Sequence, residues 1–299
     1  MSIPQIDIFS EGGSHFYHLE YQLHRSISET DIRTALANAL NKAADVGLVV
    51  AFGKRAWDKL QPDWAPAELA DFRAIMGAHG HTAPSTQSDL FFWIHGQDRD
   101  AVFDQVLSIQ SAMGSVAKIA LDLAGFRYHD NRDLIGFVDG SANPKDDARM
   151  LAALIPEGQM GAGGSYVLGQ QWVHHLAAFK QLPVAQQEKI VGRTRADSIE
   201  LEGDDMPADS HVSRTDVKVD GTAMKIYRRS APYGNSTEHG LYFLAFGCSP
   251  QRFQVQLERM YGVTNDGLQD QLIQYSSAKT GSYWFAPAQT DLDVLLGRG

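Results

Sequence analysis

One carboxylate in this sequence, Asp139, stands between two glycines in Gly136-Phe137-Val138-Asp139-Gly140-Ser141-Ala142-Asn143-Pro144. Glycines let the backbone turn tightly and approach a ligand, and the Asn-Pro step forces an extended or turning chain. An acid in that setting can be held rigidly at the edge of a cavity, where it can take up or release a proton. Taken alone, the stretch is equally a Gly-rich turn that carries an Asp. Two later stretches add chemistry. Ser210-His211-Val212-Ser213-Arg214 puts an imidazole inside a long loop, Asp197 to Asp216, rich in Asp, Glu, Gly and Pro. Lys225-Ile226-Tyr227-Arg228-Arg229-Ser230 puts adjacent arginines in a strand-like run. Side chains alternate across a strand, so one guanidinium faces inward if the other faces solvent. The inward one needs an anion or a carboxylate, because a buried unpaired charge is costly. A structural ion pair with an acid such as Asp139 and a catalytic charge beside it both meet that need.

Other chemistries are thinly represented. The chain has 11 histidines, too many to be all functional. His15, His18 and His24 fall in or beside the first strand without a matching partner. His174 and His175 are adjacent on an expected helix and so point in different directions. His79-Gly80-His81 reads as a flexible polar loop. There is no H-E-x-x-H and no cysteine pair, so a zinc hydrolase is disfavoured. Gly161-Ala162-Gly163-Gly164-Ser165 is neither a nucleophile elbow nor a phosphate loop. Its glycines let backbone pack closely against something flat, either a macrocycle or a neighbouring sheet. The single Cys248 follows an apolar run and reads as a small buried hydrophobe.

The elements that must position these residues can be read from periodicity. Tyr17, Leu19, Tyr21 and Leu23 alternate with polar neighbours, which predicts a half-buried strand. Ser28 or Thr30 caps a helix with Ile32, Leu36, Ala39, Leu40 and Ala43 on its apolar face, ending near Gly47. Leu48 to Phe52 is an apolar strand. A second β-α-β unit follows: Asp89 to His95, a helix marked by Val102, Phe103, Val106, Leu107, Ile109 and Met113, and Val116 to Leu123. The second half reads as a looser copy. It has a strand at Ser165 to Leu168, helical stretches at Trp172 to Phe179 and Ala185 to Val191, and strands at Lys225 to Arg228 and Gly240 to Phe246. A helix with Phe253, Leu257 and Met260 on one side and a strand at Tyr283 to Phe285 complete it. These patterns predict an α+β fold of two ferredoxin-like halves with antiparallel sheets and peripheral helices, residues 1–132 and 133–299. A chain of 299 residues, 43% hydrophobic and 21% charged, is an ordinary globular composition. Its net charge of -10 argues against nucleic acid or an anionic membrane surface as partner. No secretory signal or membrane-length apolar run is visible, so a cytoplasmic location is expected.

As a set, the motifs resemble those of the dye-decolorizing peroxidases, over nearly the whole chain. The residues that carry the resemblance include Ala83 to Leu90, Gly125-Phe126-Arg127, Gly136 to Pro144 and Gly163-Gly164-Ser165-Tyr166-Val167. They continue with Gly192-Arg193-Thr194, Ser210-His211, Ile226 to Gly234 and Thr280-Gly281-Ser282-Tyr283. The resemblance implies haem b (iron protoporphyrin IX), held mainly by the second half with His211 as the iron ligand. It implies Asp139 and Arg228 as catalytic residues on the opposite side, Arg228 also touching the cofactor. Asn143 and Ser230 are implied as cofactor-site residues, and Asp270 as the acid hydrogen-bonded to His211. Hydrogen peroxide and an organic one-electron donor are the implied substrates, turned over through a ferryl intermediate in a homo-oligomer. The alternative with the same site is a haem-handling protein, a carrier or iron-releasing module, with incidental peroxidase activity.

Overall fold

The structure, a computed structural model, describes residues 2–42 and 45–298. Strand β1 (His15–Leu23) leads into helix α1 (Glu29–Ala39) and strand β2 (Val46–Phe52). Helix α2 (Lys54–Leu60) and the small ribbon of β3 (Ile75–Met76) and β4 (Thr82–Ala83) intervene before β5 (Leu90–Gly96), α3 (Arg99–Met113) and β6 (Ala117–Phe126). These strands lie side by side in the order β6-β1-β5-β2, all antiparallel, which is the order of a ferredoxin-like βαββαβ unit.

After α4 (Asp146–Ala153) come β7 (Ser165–His174), α5 (Leu176–Lys180), α6 (Val184–Val191) and α7 (His211–Thr215). The ribbon of β8 (Lys218–Val219) and β9 (Thr222–Ala223) precedes β10 (Tyr227–Arg228), β11 (Ala231–Gly234) and β12 (His239–Gly247). Helix α8 (Gln251–Met260), strands β13 (Ser276–Ala278) and β14 (Ser282–Ala286), and helix α9 (Gln289–Leu295) finish the chain. Here the order is β11-β12-β7-β14, the same arrangement again, so the internal likeness expected from the sequence is present in the topology. Single residue pairs join the two sheets at their edges, Tyr233 with Gly125 and Phe285 with Phe52. Gln5 reinforces the second seam. Its amide donates to the Val50 and Pro287 carbonyls at 2.9 and 3.0 Å, and it accepts from the Val50 N–H at 2.9 Å.

The sheets face one another across a core of Val49, Ala51, Phe91, Trp93, Val167, Tyr242, Leu244, Phe246 and Trp284. Strand β1 was expected to be half-buried, but both its faces are covered. Leu19 and Tyr21 join the core that also holds Ile32 and Leu36 of α1, while His18 and Glu20 point between the sheets, at 0% and 1% exposure. The polar alternation that signals a solvent face in an isolated sheet here marks a buried hydrogen-bonded cluster. Ser88 and Tyr242 donate to the Glu20 carboxylate at 2.8 and 2.9 Å, and the His18 ring stacks 4.1 Å from that of Tyr242.

Other expectations shift at element ends. Ser28 does cap α1, accepting from the Asp31 N–H at 3.1 Å, but the helix ends at Ala39. Ala43 lies outside the described residues. Gly47 sits inside β2, where a side chain would collide with the His95 ring. Trp172 is not helical, because β7 runs on to His174, paired with β12 on one edge and β13 on the other. The helix expected there shrinks to α5. Of the strand expected from Lys225, only Tyr227 and Arg228 pair in the sheet. The glycines at 161 and 164 pack on the Phe285 ring, so their flat neighbour is the adjoining sheet. Among the described residues, no helix is long and apolar enough to cross a membrane.

Burial lifts Glu20 from the ordinary 4.5 to about 7, its hydrogen bonds to Ser88 and Tyr242 opposing the rise only in part. A carboxylate whose proton affinity is raised by folding stabilises the fold fully below its unfolded pKa, and that contribution is lost as pH rises through the folded value. Unfolding free energy is therefore expected to fall by on the order of 3 kcal/mol between pH 4.5 and 7 on this account. Glu20→Gln should flatten that part of a urea-denaturation series across pH. An equally steep decline in the variant would assign it to other groups.

Candidate active site

The outward face of the C-terminal sheet, away from the inter-sheet core, floors a cavity. Alternation along β7 and β12 sends Gln170, Trp172, His174, Leu241 and Phe243 to this face. Leu257 and Met260 of α8, Ile273, Ile226 and Val138 complete largely apolar walls. His211 and Asp139 both line it, together with Arg228.

His211 is the first residue of a one-turn helix. Ser210 caps that helix by accepting from the Ser213 N–H at 3.3 Å, and the Thr215 hydroxyl donates to the His211 carbonyl at 2.8 Å. So short a helix does not hold itself together in water. Arg214, only 1% exposed, anchors it. Its guanidinium donates to Asp266 at 2.6 and 3.2 Å, to the Thr264 hydroxyl at 3.1 Å and to the Arg259 carbonyl at 3.1 Å. Arg259 of α8 donates back to the Ser213 and Arg214 carbonyls at 3.1 and 3.2 Å. The Asp266 carboxyl is held well below the usual range, first of all by its hydrogen bonds from Arg214. The segment after Asp266 then delivers Asp270, fully buried, with one oxygen 2.6 Å from His211 Nδ1 and the other accepting from the Leu272 N–H at 2.8 Å. Gln271 ties this segment to Asp209 through backbone and side chain, at 3.0 and 2.7 Å. With Nδ1 taken by Asp270, Nε2 is the ring nitrogen left to face the cavity.

Across the cavity, residues 131–139 form a tight ribbon. The Asp139 N–H donates to the Asn131 carbonyl and the Asp133 N–H to the Phe137 carbonyl, each at 2.9 Å. Gly136, at φ 97°, turns this ribbon, and any side chain there would strike the Arg195 guanidinium. Arg228 Nη1 lies 3.7 Å from Asp139 Oδ1, so the ion pair that the sequence left open exists, in a loose form. Asn143 clamps the Arg228 backbone. Its amide donates to the Arg228 carbonyl at 2.8 Å and its oxygen accepts from the Arg228 N–H at 3.0 Å. A second, polar cleft reaches Asp139 and Arg228 from the other side, lined by Asn143, Ser230 and Arg127 among others. The Ser230 hydroxyl oxygen accepts from the Leu244 N–H at 3.3 Å. Arg229 points away, with its guanidinium 5.0 Å from the Trp93 ring and 5.8 Å from that of Tyr227. Burial raises the Asp139 carboxyl above the ordinary carboxylate range, with Arg228 opposing and Asp133 reinforcing.

The structure thus brings Asp139, Arg228 and His211 around one cavity, with Asp270 buried behind His211 and Asn143 and Ser230 behind Arg228. Sequence reasoning missed Asp133, His174, Arg214 and Gln170. The spacing of Gln170, Trp172 and His174, every second residue, is a strand signal that the helical reading of Trp172 obscured. Both amide atoms of Gln170 are buried without a hydrogen-bond partner among the described residues, a costly state unless a bound molecule supplies the partners.

The sequence matches the family model described as Dyp-type peroxidase, C-terminal, over residues 130–291, and its N-terminal counterpart over 19–127. The chain belongs to the dye-decolorizing peroxidase family. It is 34% identical to the dye-decolorizing peroxidase of Mycobacterium tuberculosis over 92% of this chain and 83% of that one. Among solved structures, a dye-decolorizing protein from V. cholerae is 37% identical, with TM-score 0.86, covering 95% of this chain and 97% of its own. DyPB from Rhodococcus jostii RHA1 is 32% identical, with TM-score 0.89 over 98% and 97% of the two chains. Variants of that Rhodococcus protein were solved in complex with haem.

In a dye-decolorizing peroxidase built this way, the Arg214 anchor should matter to stability as well as to the placing of His211. Arg214→Ala is expected to lower unfolding free energy by roughly 2–3 kcal/mol, because it strands the Arg259 carbonyl and leaves a void, whereas Asp266 keeps access to water. Chemical denaturation of the variant checks this. A loss no larger than that of an ordinary surface substitution would show that α7 is held by other contacts.

Proposed function

We propose that this chain is a haem-dependent peroxidase that reduces hydrogen peroxide at the expense of an organic one-electron donor. One observation carries the reading: an imidazole backed by a buried carboxylate faces an acid and a guanidinium across a single apolar cavity. A lone imidazole with one carboxylate behind it is a poor cage for a bare ion, but it suits a metal already held in a macrocycle. The apolar walls and the unpartnered Gln170 amide fit such a guest. His211 would hold the haem iron through Nε2, with Arg228 across the cavity from it and Asn143 and Ser230 lining the polar cleft behind Arg228. Residues 133–299 carry all of these groups and residues 1–132 form the supporting half. The family matches at 130–291 and 19–127 support that division.

Bound haem supplies the redox-active iron at which peroxide is reduced and the donor oxidised. The chain's own residues manage protons and charge. Asp270 draws the Nδ1 proton of His211 toward itself and so makes Nε2 a stronger donor to the metal. Asp139 in its ionised form accepts a proton from peroxide and returns it to the departing oxygen. Its raised proton affinity favours the first transfer and confines it to pH values above its own titration. Arg228 stays charged and stabilises the negative charge that develops on the departing oxygen. The polar cleft gives small polar molecules a way to both groups that avoids the apolar cavity.

Purified protein is expected to show the haem absorption band, and His211→Ala to lose it. Asp139→Ala and Arg228→Ala should keep haem yet react with peroxide about tenfold more slowly or worse in stopped-flow spectra. Unchanged haem content and spectrum in His211→Ala would overturn the ligand assignment.

A further inference from the structure

Asp133, His174 and Ser276 line the same cavity as His211 but have no part in the proton and charge handling assigned above. They come from the 131–139 ribbon, the end of β7 and the start of β13. His174 Nδ1 lies 2.8 Å from the Ser276 hydroxyl and Nε2 lies 3.1 Å from the Asp133 carboxylate. A carboxylate only accepts, so Nε2 carries the proton of that bond, and in the neutral ring Nδ1 accepts from Ser276. The three residues are 9%, 8% and 5% exposed. Asp133 also accepts from the Ile135 N–H at 2.9 Å. Burial by itself would raise the Asp133 carboxyl, yet His174 and the backbone N–H groups of Ile135 and Leu134 hold it below the usual range.

The ribbon links this group to the catalytic acid. In an antiparallel pair, residues directly opposite share a face, and so do residues two apart. Asn131 stands opposite Asp139 and Asp133 opposite Phe137, with the Arg132–Val138 bridge between. Asp133 and Asp139 therefore fall on one face of the ribbon, and both line the cavity.

We propose that Asp133, fixed by His174 and Ser276, is a positioning residue whose negative charge governs the pH at which Asp139 can accept the peroxide proton. The inference rests on Asp139 acting as proton acceptor. A charge fixed nearby disfavours a second like charge in a site shielded from water. Asp139 also feels Arg228 of β10 and His211 of α7. Around the polar cleft stand Glu11, Arg127, Lys145, Asp146, Arg149 and Arg229. Toward His174 the cavity adds Arg193, itself paired with Glu200. None of these changes when Asp133 is replaced, so they form a constant background.

A proton acceptor works when ionised, so the rate with peroxide falls on the acid side of the Asp139 titration. The Asp133 charge pushes that acid limb to higher pH, and its removal brings the limb down. In the haem-loaded protein, Asp133→Asn is expected to move the limb down by about half a pH unit or more, raising the rate about threefold below it. The double variant Asp133→Asn/His174→Gln replaces the pair by two neutral amides that can still bond each other. It should move the limb the same way even if the single variant fails to fold. In the resting protein without peroxide, the infrared carboxyl band lost in Asp139→Asn should titrate at the same lower pH. A purely structural role for the pair would lower stability and leave limb and band in place, and that result overturns the inference. An Asp139→Ala variant with undiminished rate would instead overturn the functional reading beneath it.

Discussion

Both faces of the C-terminal sheet are committed, and the rest of the molecule follows from which side chains each face receives. Strand geometry sends successive residues to opposite sides, so β12 splits into Tyr242, Leu244 and Phe246 against the N-terminal sheet and Leu241 and Phe243 toward the cavity. Strand β7 divides likewise, with Val167 inward and Gln170, Trp172 and His174 outward. A slip of one residue in the β7–β12 pairing would exchange the two sets, exposing apolar rings and pushing His174 and Gln170 into the inter-sheet core. The N-terminal half therefore does more than enlarge the protein. By covering one face completely, it fixes the register that builds the cavity on the other.

The two carboxylates nearest His211 and Arg228 sit in different environments. Asp270 is fully buried and has both oxygens bonded, one of them to His211, so its position is determined as closely as that of a backbone group. Asp139 keeps 18% exposure toward its cleft and meets Arg228 only loosely. The second arrangement lets a carboxylate gain and lose a proton more freely than the first. The loose pair also explains why Arg228 is fastened through its backbone, by Asn143, and not through its guanidinium. Its guanidinium meets Asp139 at 3.7 Å and lines the cavity.

The proximal side solves a different problem. A single helical turn carrying His211 has almost no stability of its own, and its last carbonyls would be orphaned. Arg214 and Arg259 cross between α7 and α8, each donating to the other's backbone, while Asp266 answers the Arg214 charge. Two like charges can approach in this way because each guanidinium meets carbonyls, with a carboxylate beside them.

The motif around Asp139, the imidazole in an acidic loop and the paired arginines were legible because their residue types are chemically unusual for their settings. Glycines around an acid and adjacent cations in a strand-like run stand out without any fold. The α+β alternation was legible for a similar reason, since apolar period is a local property. Three things lay outside local reading. Glu20 and His18 look like solvent-facing positions, and only a second sheet laid over β1 makes them core. Trp172 looks helical by its apolar neighbours, and only pairing with β12 and β13 keeps it extended. Asp133, His174 and Ser276 are scattered along the chain, and only the ribbon and the meeting of β7 with β13 bring them together. Sequence by itself determined which chemical groups the site could contain. Tertiary structure decided their partners and their burial, because hydrogen bonds and desolvation depend on distances in space that spacing along the chain does not set.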